Sequence, residues 1–524
     1  FNWLIENKIN YNTVINEDHS INAVLVQSAQ KETYKGDNVT ATDFPNDYIQ
    51  TISGGTVIKG ASDKTQWSIA SYLARVQYSY KGKYMASGAI RADGSSRFGK
   101  NNRWGYFPSA SLAWRVSGED FFTKAKFLSF VDDLKIRTSY GVTGNFQIGN
   151  YDHLSLMALD NYILGTGNGQ LVQGYKPNTI KNDDLSWEKN AMVNVGVDLQ
   201  MFKGLLGITV DYYNMLLNVP VPHLTGYSTA LMNIGKVNNR GWEIALTSQK
   251  NFTKDFGYSF NANYATNTNE VKALGPGNAP IISTGSVDHA YYITKVGEPI
   301  GCYYLLVQDG IFSNEEELKK YPHFSNTQPG DFRFVDVDGD GVMDLDKDRT
   351  IVGNYMPDFT YGFGGKVWYK GIDLDFNFQG VYGNEILNLN RRYIDNLEGN
   401  TNGTTIALNR WKSADNPGNG QVNRANRKSK GYNGRTSTWH LEDGSYLRLQ
   451  NVTLGYTLPQ NLTRRFFVEK LRVYVSGQNL WTSTNYGGYN PEVNARPSNS
   501  LSPGEDYGTY PLAKTFLFGL NITL

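Results

Sequence analysis

The chain has 524 residues, a formal net charge of +1 at pH 7 and 40% hydrophobic residues, with a mean hydropathy of −0.46. The near-neutral charge excludes a general basic surface for nucleic acid. A single cysteine, Cys302, excludes an internal disulfide framework and a cysteine-based metal cluster. No run of about 18 apolar residues is present, which excludes a transmembrane helix but not a barrel that crosses the membrane with strands.

Alternation of apolar and polar residues, the pattern of a half-exposed β-strand, recurs along the chain. It is visible in residues 72–80 and 109–117, and it is clearest in residues 371–380. There one face carries Ile372, Leu374, Phe376 and Phe378, and the other carries Asp373, Asp375, Asn377 and Gln379. About sixteen such segments, many about ten residues long, predict strands of the length that crosses a bilayer when tilted. Helical periodicity is confined to a short candidate at residues 314–320.

The connections between these strands alternate between short and long. Tight turns are predicted at Lys81-Gly82, at Phe202 to Gly204 and at Tyr369 to Gly371. Long stretches rich in Gly, Asn, Asp and Ser are predicted to be loops at residues 143–188, 215–239, 381–444 and 479–512. Compact soluble domains rarely carry several structureless loops longer than about 15 residues. Outer-membrane barrels have short periplasmic turns and long outer loops, so the pattern favours a membrane barrel.

The last ten residues, TFLFGLNITL, have the same alternation. One face carries Phe516, Phe518, Leu520, Ile522 and Leu524. In a membrane barrel this face contacts lipid, whereas in a soluble sandwich it would face a core. An open strand edge in hydrocarbon leaves costly N–H and C=O groups. We therefore expect residues 515–524 to pair on one side with a strand near 471–477, and on the other with strands that precede Phe1 or with a second polypeptide.

Residues 334–349, FVDVDGDGVMDLDKDR, contain the strongest chemical signal. Asp336, Asp338 and Asp340 occupy positions 1, 3 and 5 of a calcium-binding loop, and Gly341 supplies the sharp turn at position 6. Three carboxylates so close together repel one another unless a cation neutralises them. The sequence therefore predicts a structural calcium site that holds an extracellular loop in place. The alternative is a solvated acidic turn.

The rest of this loop departs from the calcium pattern at one position. Position 12 holds Lys347 instead of a bidentate acid, so Asp348 or Asp346 must supply the last ligand. Position 7 is Val342, which offers its backbone carbonyl, and position 9 is Asp344. The predicted ligands are Asp336, Asp338, Asp340, Val342, Asp344 and Asp348.

Signals for catalysis are weak. Residues 94–101, GSSRFGKN, nearly match a phosphate-binding loop, but Asn101 replaces the Ser or Thr that holds magnesium, and a strand follows instead of a helix. The six histidines lack the close spacing of a metal site, and no nucleophile stands in a recognisable motif. We expect a protein that is not an enzyme, and an extracellular loop at residues 94–101.

Aromatic residues make up 13% of the chain, including 35 Tyr. The clusters at Tyr291-Tyr292, Tyr303-Tyr304 and residues 486–490 are candidates for stacking on sugar rings or peptide side chains. Membrane barrels carry aromatic girdles, so we favour a girdle or packing between loops as their role.

Several motifs, in order, resemble the barrel of the SusC/RagA family of TonB-dependent outer-membrane transporters from Bacteroidetes. They include RADGSSRFGKNNRWGYFPSASLAWRVS at 91–117, LKIRTSYGVTGN at 134–145, GKVNNRGWEIAL at 235–246, SYLRLQNVTLGYTLP at 445–459 and LRVYVSGQNLWTSTNYGGYNPE at 471–492. The resemblance runs from about residue 72 to the end. It implies an all-β, antiparallel transmembrane barrel, of which residues 1–524 are the C-terminal portion, about sixteen strands out of about 22.

By the same resemblance, the signal peptide, TonB box and plug domain lie N-terminal to this chain, whose first residues have neither the basic segment nor the apolar core of a signal peptide. The implied function is TonB-dependent import of a large nutrient, a glycan or a peptide, across the outer membrane. The implied partners are a SusD-like surface lipoprotein, TonB acting through the plug, and membrane lipid. The alternatives are a siderophore- or cobalamin-type transporter, a passive pore without a plug, and a soluble, calcium-stabilised β-rich binding protein.

Overall fold

The computed structural model describes residues 1–165, 169–224, 229–287, 289–399, 401–427 and 433–524. Strands make up most of the regular structure. No helix in these ranges is long and apolar enough to span a membrane. Close backbone contacts divide the chain into two units. The first comprises Phe1–Lys124, Lys135–Val195 and Met215–Lys236, and the second comprises Ala125–Leu134, Gly196–Asn214 and Val237–Leu524.

The strands and helices are numbered in chain order. The strands are β1 (Asn2–Ile15), β2 (His19–Thr42), β3 (Thr56–Tyr80), β4 (Tyr84–Ser95), β5 (Trp104–Arg115), β6 (Val131–Asn145), β7 (Met157–Leu164), β8 (Gln170–Pro177), β9 (Glu188–Met201), β10 (Leu206–Leu224), β11 (Thr229–Asn251), β12 (Phe256–Ala265), β13 (Thr268–Leu274), β14 (Ile281–Thr284), β15 (Tyr291–Thr294), β16 (Cys302–Leu306), β17 (Gln308–Ile311), β18 (Phe332–Phe334), β19 (Arg349–Gly353), β20 (Phe359–Tyr369), β21 (Ile372–Tyr382), β22 (Glu385–Asn388), β23 (Leu441–Asp443), β24 (Tyr446–Thr457), β25 (Lys470–Thr484), β26 (Glu505–Asp506) and β27 (Thr515–Thr523). The α-helices in the described ranges are α1 (Asp120–Thr123), α2 (Glu315–Lys320), α3 (Arg391–Ile394) and α4 (Gln460–Thr463).

The first unit is built on an antiparallel meander. Strands β1 to β6 pair with their sequence neighbours in the order β1-β2-β3-β4-β5-β6. Lys81 and Gly82 have positive φ angles of 53° and 63° in the turn between β3 and β4, which confirms the tight turn predicted there. Strands β7 and β8 form a separate hairpin in the long connection that follows β6.

The connection between β4 and β5 contains most of the segment that nearly matched a phosphate-binding loop. Its Phe98 is fully buried in a cluster with Phe107, Leu185 and Trp187. A buried aromatic side chain anchors this loop by burying apolar area. The segment is therefore a packed connection between two strands.

The second unit repeats the antiparallel pattern with longer connections. Its main-sheet order is β11-β12-β20-β21-β24-β25-β27. The turn between β20 and β21 uses Lys370 and Gly371, whose φ angles are 47° and 88°. The connections from β12 to β20, from β21 to β24 and from β25 to β27 are all long, so the second unit alternates short and long connections as the sequence predicts.

An apolar face runs continuously across the sheet of the second unit. Residues directly opposite one another on paired strands share a face, and Val367, Gly365 and Phe363 of β20 lie opposite the apolar residues of β21, namely Leu374, Phe376 and Phe378. Ile372 is 50% exposed and Leu374 is 40% exposed, whereas Asp373 between them is 7% exposed. At this end of β21 the apolar residues are exposed and the polar residue between them is buried, which is the reverse of a water-soluble sheet.

The C-terminal strand continues this face. In the register of β27 against β25, Phe518 lies opposite Val475 and Leu520 lies opposite Val473, and Val473 and Val475 in turn lie opposite Tyr456 and Leu454 of β24. The predicted pairing of residues 515–524 with the strand near 471–477 is confirmed. Within the described residues, β27 has this single strand partner and β1 has only β2.

One expectation about element boundaries was wrong. Residues 215–239, predicted as a long loop, lie mostly in β10 and β11, apart from residues 225–228, which fall outside the described ranges. The first strand begins at Asn2, and β3 alone has 25 residues. Cross-strand pairing over long registers overrides the Gly, Asn and Pro content that predicted loops.

The predicted helix at residues 314–320 is confirmed as α2. Asn314 caps it, because the side-chain oxygen of Asn314 accepts hydrogen bonds from the backbone N–H groups of Glu316 and Glu317, both at 3.0 Å. Glu315 to Glu317 lie in its first turn and Lys319 and Lys320 in its last, which suits the helix dipole.

Substitution by arginine should destabilise the protein unequally on the two faces of β21. Phe376→Arg places a charge on the apolar face and should destabilise the protein in the membrane by about 2–4 kcal/mol near the bilayer midplane. Asn377→Arg, on the polar face, should have a much smaller effect. The fraction of heat-resistant folded protein on semi-native gels measures both, and equal losses would contradict the assignment of the faces.

Candidate functional site

The polar face of the second unit is held together by charged side chains that cross its strands. Arg472 of β25 donates from Nε and Nη2 to the two carboxylate oxygens of Asp373 on β21, at 2.9 and 2.6 Å, and Lys366 of β20 lies 3.5 Å from the same carboxylate. Arg472 reaches over β24 because residue 455 is glycine, where a Cβ would collide with its guanidinium. The bidentate pair therefore ties three strands together.

The segment that follows β25 lies on this polar face. Its Glu492 accepts hydrogen bonds from Gln379 of β21 at 2.6 Å and from Tyr446 of β24 at 2.7 Å, and it forms an ion pair with Arg448 of β24. Arg448 also donates to Asn490 at 2.7 Å. The NPE sequence of residues 490–492 thus docks a long connection against two strands of the sheet.

The long connections of the second unit, which follow β12, β21 and β25, pack on one another and form a core of their own. We call these packed connections the loop body. Residues from the β12–β20 and β21–β24 connections meet there, and the fully buried members are Ala290, Tyr292, Tyr303, Leu305, Leu387 and Leu389. Tyr303 donates to the carbonyl of Glu385 at 2.9 Å, and Tyr292 to the carboxylate of Glu505 at 3.3 Å. Tyr292 and Tyr303 therefore pack loop against loop, the role favoured for these clusters, and are not available for stacking on a ligand.

Residues 334–349, the acidic loop, lie beside a second apolar core of the loop body. Met343 of this loop packs with Leu306, Ile311, Phe324, Phe332 and Phe334. The structure brings Asp336, Asp338 and Asp340 together, with one ligand atom from each within 4.8 Å of the others. These three side chains are the ones predicted at positions 1, 3 and 5, and their convergence fits an oxygen-ligated cation.

Lys347 lies where a calcium loop carries its last acid. Its ammonium is 3.1 Å from Asp340, and the hydrogen bond between them lowers the pKa of Asp340 and raises that of Lys347. In this arrangement a side-chain cation takes up part of the charge that a metal would neutralise. The carboxylate of Asp340 would have to break its contact with Lys347 in order to offer both oxygens to a metal ion.

The remaining predicted ligands have other contacts. Asp348 is fully buried, and its two carboxylate oxygens accept the backbone N–H groups of Val337 at 2.9 Å and Asp344 at 2.6 Å. Asp344 accepts the N–H of Asp346 at 2.6 Å. Val342 is 64% exposed, and Asp346 pairs with Arg349 at 2.6 Å. The side chain of Asp348 thus closes the loop by accepting hydrogen bonds from the backbone of Val337 and Asp344. The role of Asp348 as a metal ligand stays a prediction.

A buried polar junction that sequence reasoning missed joins three segments of this body. Asn433 donates from its side-chain nitrogen to Asp331 and to Glu398, both at 2.9 Å, and its oxygen accepts the N–H of Phe332 at 2.7 Å. Arg424 pairs with Asp331 at 2.7 Å. The guanidinium of Arg424 thus pairs with Asp331, and the side-chain nitrogen of Asn433 links Asp331 to Glu398. The partners lie 35 to 102 residues apart, so no local pattern reveals them.

Glu398 makes the stability of this junction depend on pH. Burial raises the pKa of Glu398 to about 7, above its unfolded value of about 4.3. The folded junction therefore holds a proton that the unfolded chain releases between those two values, so its stability falls as pH rises from about 4.3 to 7, by roughly 4 kcal/mol at most.

Amide hydrogen exchange at residues 396–399, corrected for the intrinsic rate, measures this change. We expect greater protection at pH 5 than at pH 8, and Glu398→Gln should remove the difference. Glu315→Gln, at an exposed acid of α2, serves as the control. Equal protection at both pH values in the wild-type protein would contradict the prediction.

Comparison with known proteins identifies the family of this chain. Residues 6–294, more than half of it, match the family model described as TonB dependent receptor-like, beta-barrel. The TonB-dependent receptor P39 of Formosa agariphila is 32% identical over 99% of this chain and 52% of its own length. The TonB-dependent receptor SusC of Bacteroides thetaiotaomicron is 30% identical over 87% of this chain and 44% of its own length.

A solved structure agrees with these relatives. The chain superposes on a protein of the RagAB peptide transporter with a TM-score of 0.82 and 26% identity, covering 99% of this chain and 55% of that one. The chain spans about half the length of the curated relatives that it matches. The inverted faces, the long packed connections and these similarities lead to one conclusion: the chain belongs to the TonB-dependent receptor-like β-barrel family and is of the SusC/RagA type.

Proposed function

We propose that the protein containing this chain imports a large nutrient, a glycan or a peptide, across the outer membrane in a TonB-dependent manner. The observation that carries the proposal is the superposition of 99% of the chain on a protein of the RagAB peptide transporter. The similarity to SusC of Bacteroides thetaiotaomicron supports the same assignment.

The distribution of side chains supports an outer-membrane location. Lipid covers the apolar face that includes Ile372, Leu374 and Phe518, which is exposed on the chain. A soluble binding protein would leave this face in water and risk aggregation. The opposite face carries amide, hydroxyl and paired charged groups, which are compatible with a hydrated cargo.

The partners follow from the same proposal. A SusD-like surface lipoprotein closes over the long connections, which form a packed body rather than loose loops. Energy arrives from TonB through a plug domain that belongs to another part of the protein. This arrangement makes the loop body the surface that meets the lipoprotein.

Uptake by cells tests the proposed import. Deleting the gene should abolish uptake of one class of labelled oligomer, either oligosaccharides or oligopeptides, and the full-length gene should restore it. Collapsing the proton gradient should have the same effect as the deletion, because TonB action consumes it. Uptake of both classes unchanged after deletion would contradict the proposal.

We also propose that the acidic loop binds calcium and stabilises the loop body. Asp336, Asp338 and Asp340 supply convergent carboxylates, and the carbonyl of Val342 completes positions 1 to 7 of the loop pattern. Lys347 competes with the ion for Asp340. The role of bound calcium would be to hold together the two ends of the 336–348 segment; no chemistry is expected of it.

Substitutions at position 12 give a sharp test of calcium binding. Lys347→Glu restores the bidentate acid and removes the competing ammonium, so it should bind Ca²⁺ more tightly than wild type, while Lys347→Gln should show the smaller gain from charge removal alone. Asp338→Ala should weaken binding, and Asp415→Ala, at an exposed acid elsewhere, should not. Isothermal titration calorimetry measures the affinities of the wild type and the four variants, and equal affinities in all five proteins would contradict the site.

A further inference from the structure

One end of the sheet of the second unit carries an excess of basic side chains, which lie in the connections β11–β12, β20–β21 and β24–β25. Residues 250–256, 369–371 and 464–470, which we call the basic rim, contain six basic and two acidic residues. Backbone hydrogen bonds join the three connections, from Lys370 to Asp255 at 2.9 Å and from Thr457 to Gly371 at 2.7 Å. Among the residues that the structure describes, none of the six cations forms an ion pair; they are Lys250, Lys254, Lys370, Arg464, Arg465 and Lys470.

A row of three aromatic rings joins two of these connections on the apolar face. The rings of Phe252 and Phe256 are stacked with centroids 4.9 Å apart, and the ring of Tyr369 meets Phe256 edge-on at 6.0 Å. Tyr369 lies directly opposite Phe256 and two residues after Val367 of the apolar face. The three side chains are between 37% and 53% exposed. They extend the apolar face to the end of the sheet, where membrane barrels carry an aromatic girdle.

A lysine lies over the ring at each end of this row. The ammonium of Lys250 is 5.2 Å from the centre of the Phe252 ring, and that of Lys370 is 5.2 Å from the centre of the Tyr369 ring. Lys250 belongs to the apolar face, because it lies directly opposite Tyr258 of the same face of β12. A lysine in this position lays its hydrocarbon stem on the apolar surface and holds its charge at the level of the lipid head groups.

The turn between β20 and β21 places its lysine where the backbone does not favour one. Lys370 and Gly371 both have positive φ angles, as a type I′ turn requires, and the first position of that turn favours Asn, Asp or Gly. The turns at Lys81-Gly82 and Lys203-Gly204 also place a lysine at positive φ, 53° and 60°, and an aromatic residue precedes the lysine in all three turns. A side chain held in a disfavoured backbone conformation points to a function for that side chain. The recurrence of aromatic-Lys-Gly therefore indicates a role for an ammonium beside a ring.

The connection between β24 and β25 adds two exposed aromatic side chains to the basic rim. Phe466 and Phe467 are 77% and 92% exposed, and Arg464 and Arg465 directly precede them. Exposed phenylalanines beside basic residues are typical of segments that lie in a membrane interface, where the rings enter the acyl region and the cations meet anionic head groups. This connection therefore suits the same lipid surface as the aromatic row.

We propose that the basic rim binds the phosphate groups of anionic phospholipids in the periplasmic leaflet of the outer membrane. Short connections lie on the periplasmic side of outer-membrane barrels. Lys250 and Lys370 contact the phosphate, and the rings of Phe252, Phe256 and Tyr369 contact the acyl chains. Lipid is favoured over an acidic protein as the partner, because both lysines lie against rings of the face that lipid covers. The proposal rests on the outer-membrane location proposed above and adds a lipid preference that import by itself does not require.

Native mass spectrometry of the full-length protein tests this preference. The protein is transferred into detergent that contains equal amounts of phosphatidylglycerol, which is anionic, and phosphatidylethanolamine, whose net charge is zero. The wild-type protein should retain more phosphatidylglycerol than phosphatidylethanolamine. Combining Lys250→Gln with Lys370→Gln should lower the ratio of the two bound lipids about fivefold or more, because one basic residue near an anionic surface contributes roughly that factor.

Lys319→Gln combined with Lys320→Gln is the matched control, because it removes two exposed lysines of α2, and Lys320 also lies over an aromatic ring, 4.9 Å from the centre of Tyr321. This pair lies in the loop body and should leave the lipid ratio unchanged. Lys370→Asn separates lipid binding from folding. Asparagine suits the turn, so heat-resistant migration on gels should be at least that of the wild type while the lipid ratio falls.

Two results would overturn the proposal. The first is equal retention of the two lipids by the wild-type protein, and the second is a lipid ratio that neither Lys370→Asn nor the double variant of the basic rim changes. A loss of cellular uptake in these variants with an unchanged lipid ratio would instead indicate a protein contact at the basic rim. Uptake of labelled oligomer that persists when the lipid preference is absent would leave the import function standing.

Discussion

The reversed placement of apolar and polar side chains is the constraint on which the structure depends. With Leu374 and Phe518 outside and Asp373 inside, the sheet cannot gain stability from a central apolar core. Backbone pairing and cross-strand contacts on the polar face must hold the strands instead. The Asp373–Arg472 pair shows how, since it spans β24 and links three strands at one point.

This constraint explains the glycines of the polar face. A side chain at residue 455 would collide with the guanidinium of Arg472, and one at residue 519 would collide with the ring of Tyr474. Glycine in a strand loses packing and backbone entropy, but here the uncovered backbone receives a large side chain from the neighbouring strand. At these two positions the low strand propensity of glycine is offset by contacts between neighbouring strands.

Apolar side chains are buried in the long connections of the second unit instead. Tyr292 and Tyr303 are fully buried there, and the junction of Asp331, Glu398 and Asn433 satisfies the polar groups of three segments. Loops that bury this much surface behave as a small domain rather than as mobile chain. The acidic loop is positioned by that body, because Met343 of the loop packs in its second core.

The sequence by itself determined the strands, the identity of their two faces and the convergence of Asp336, Asp338 and Asp340, because alternation with a period of two and a six-residue loop motif are local properties. It misplaced residues 215–239, since long-range pairing decides between loop and strand there. Only the tertiary structure decided the contacts of Lys347 and Asp348 and the junction at Glu398. Asn433 and Asp331 of that junction lie 102 residues apart, so no local pattern specifies their contact. The partners of Lys347 and Asp348 lie only 4 to 11 residues away, but which of them each side chain contacts depends on the geometry of the folded loop.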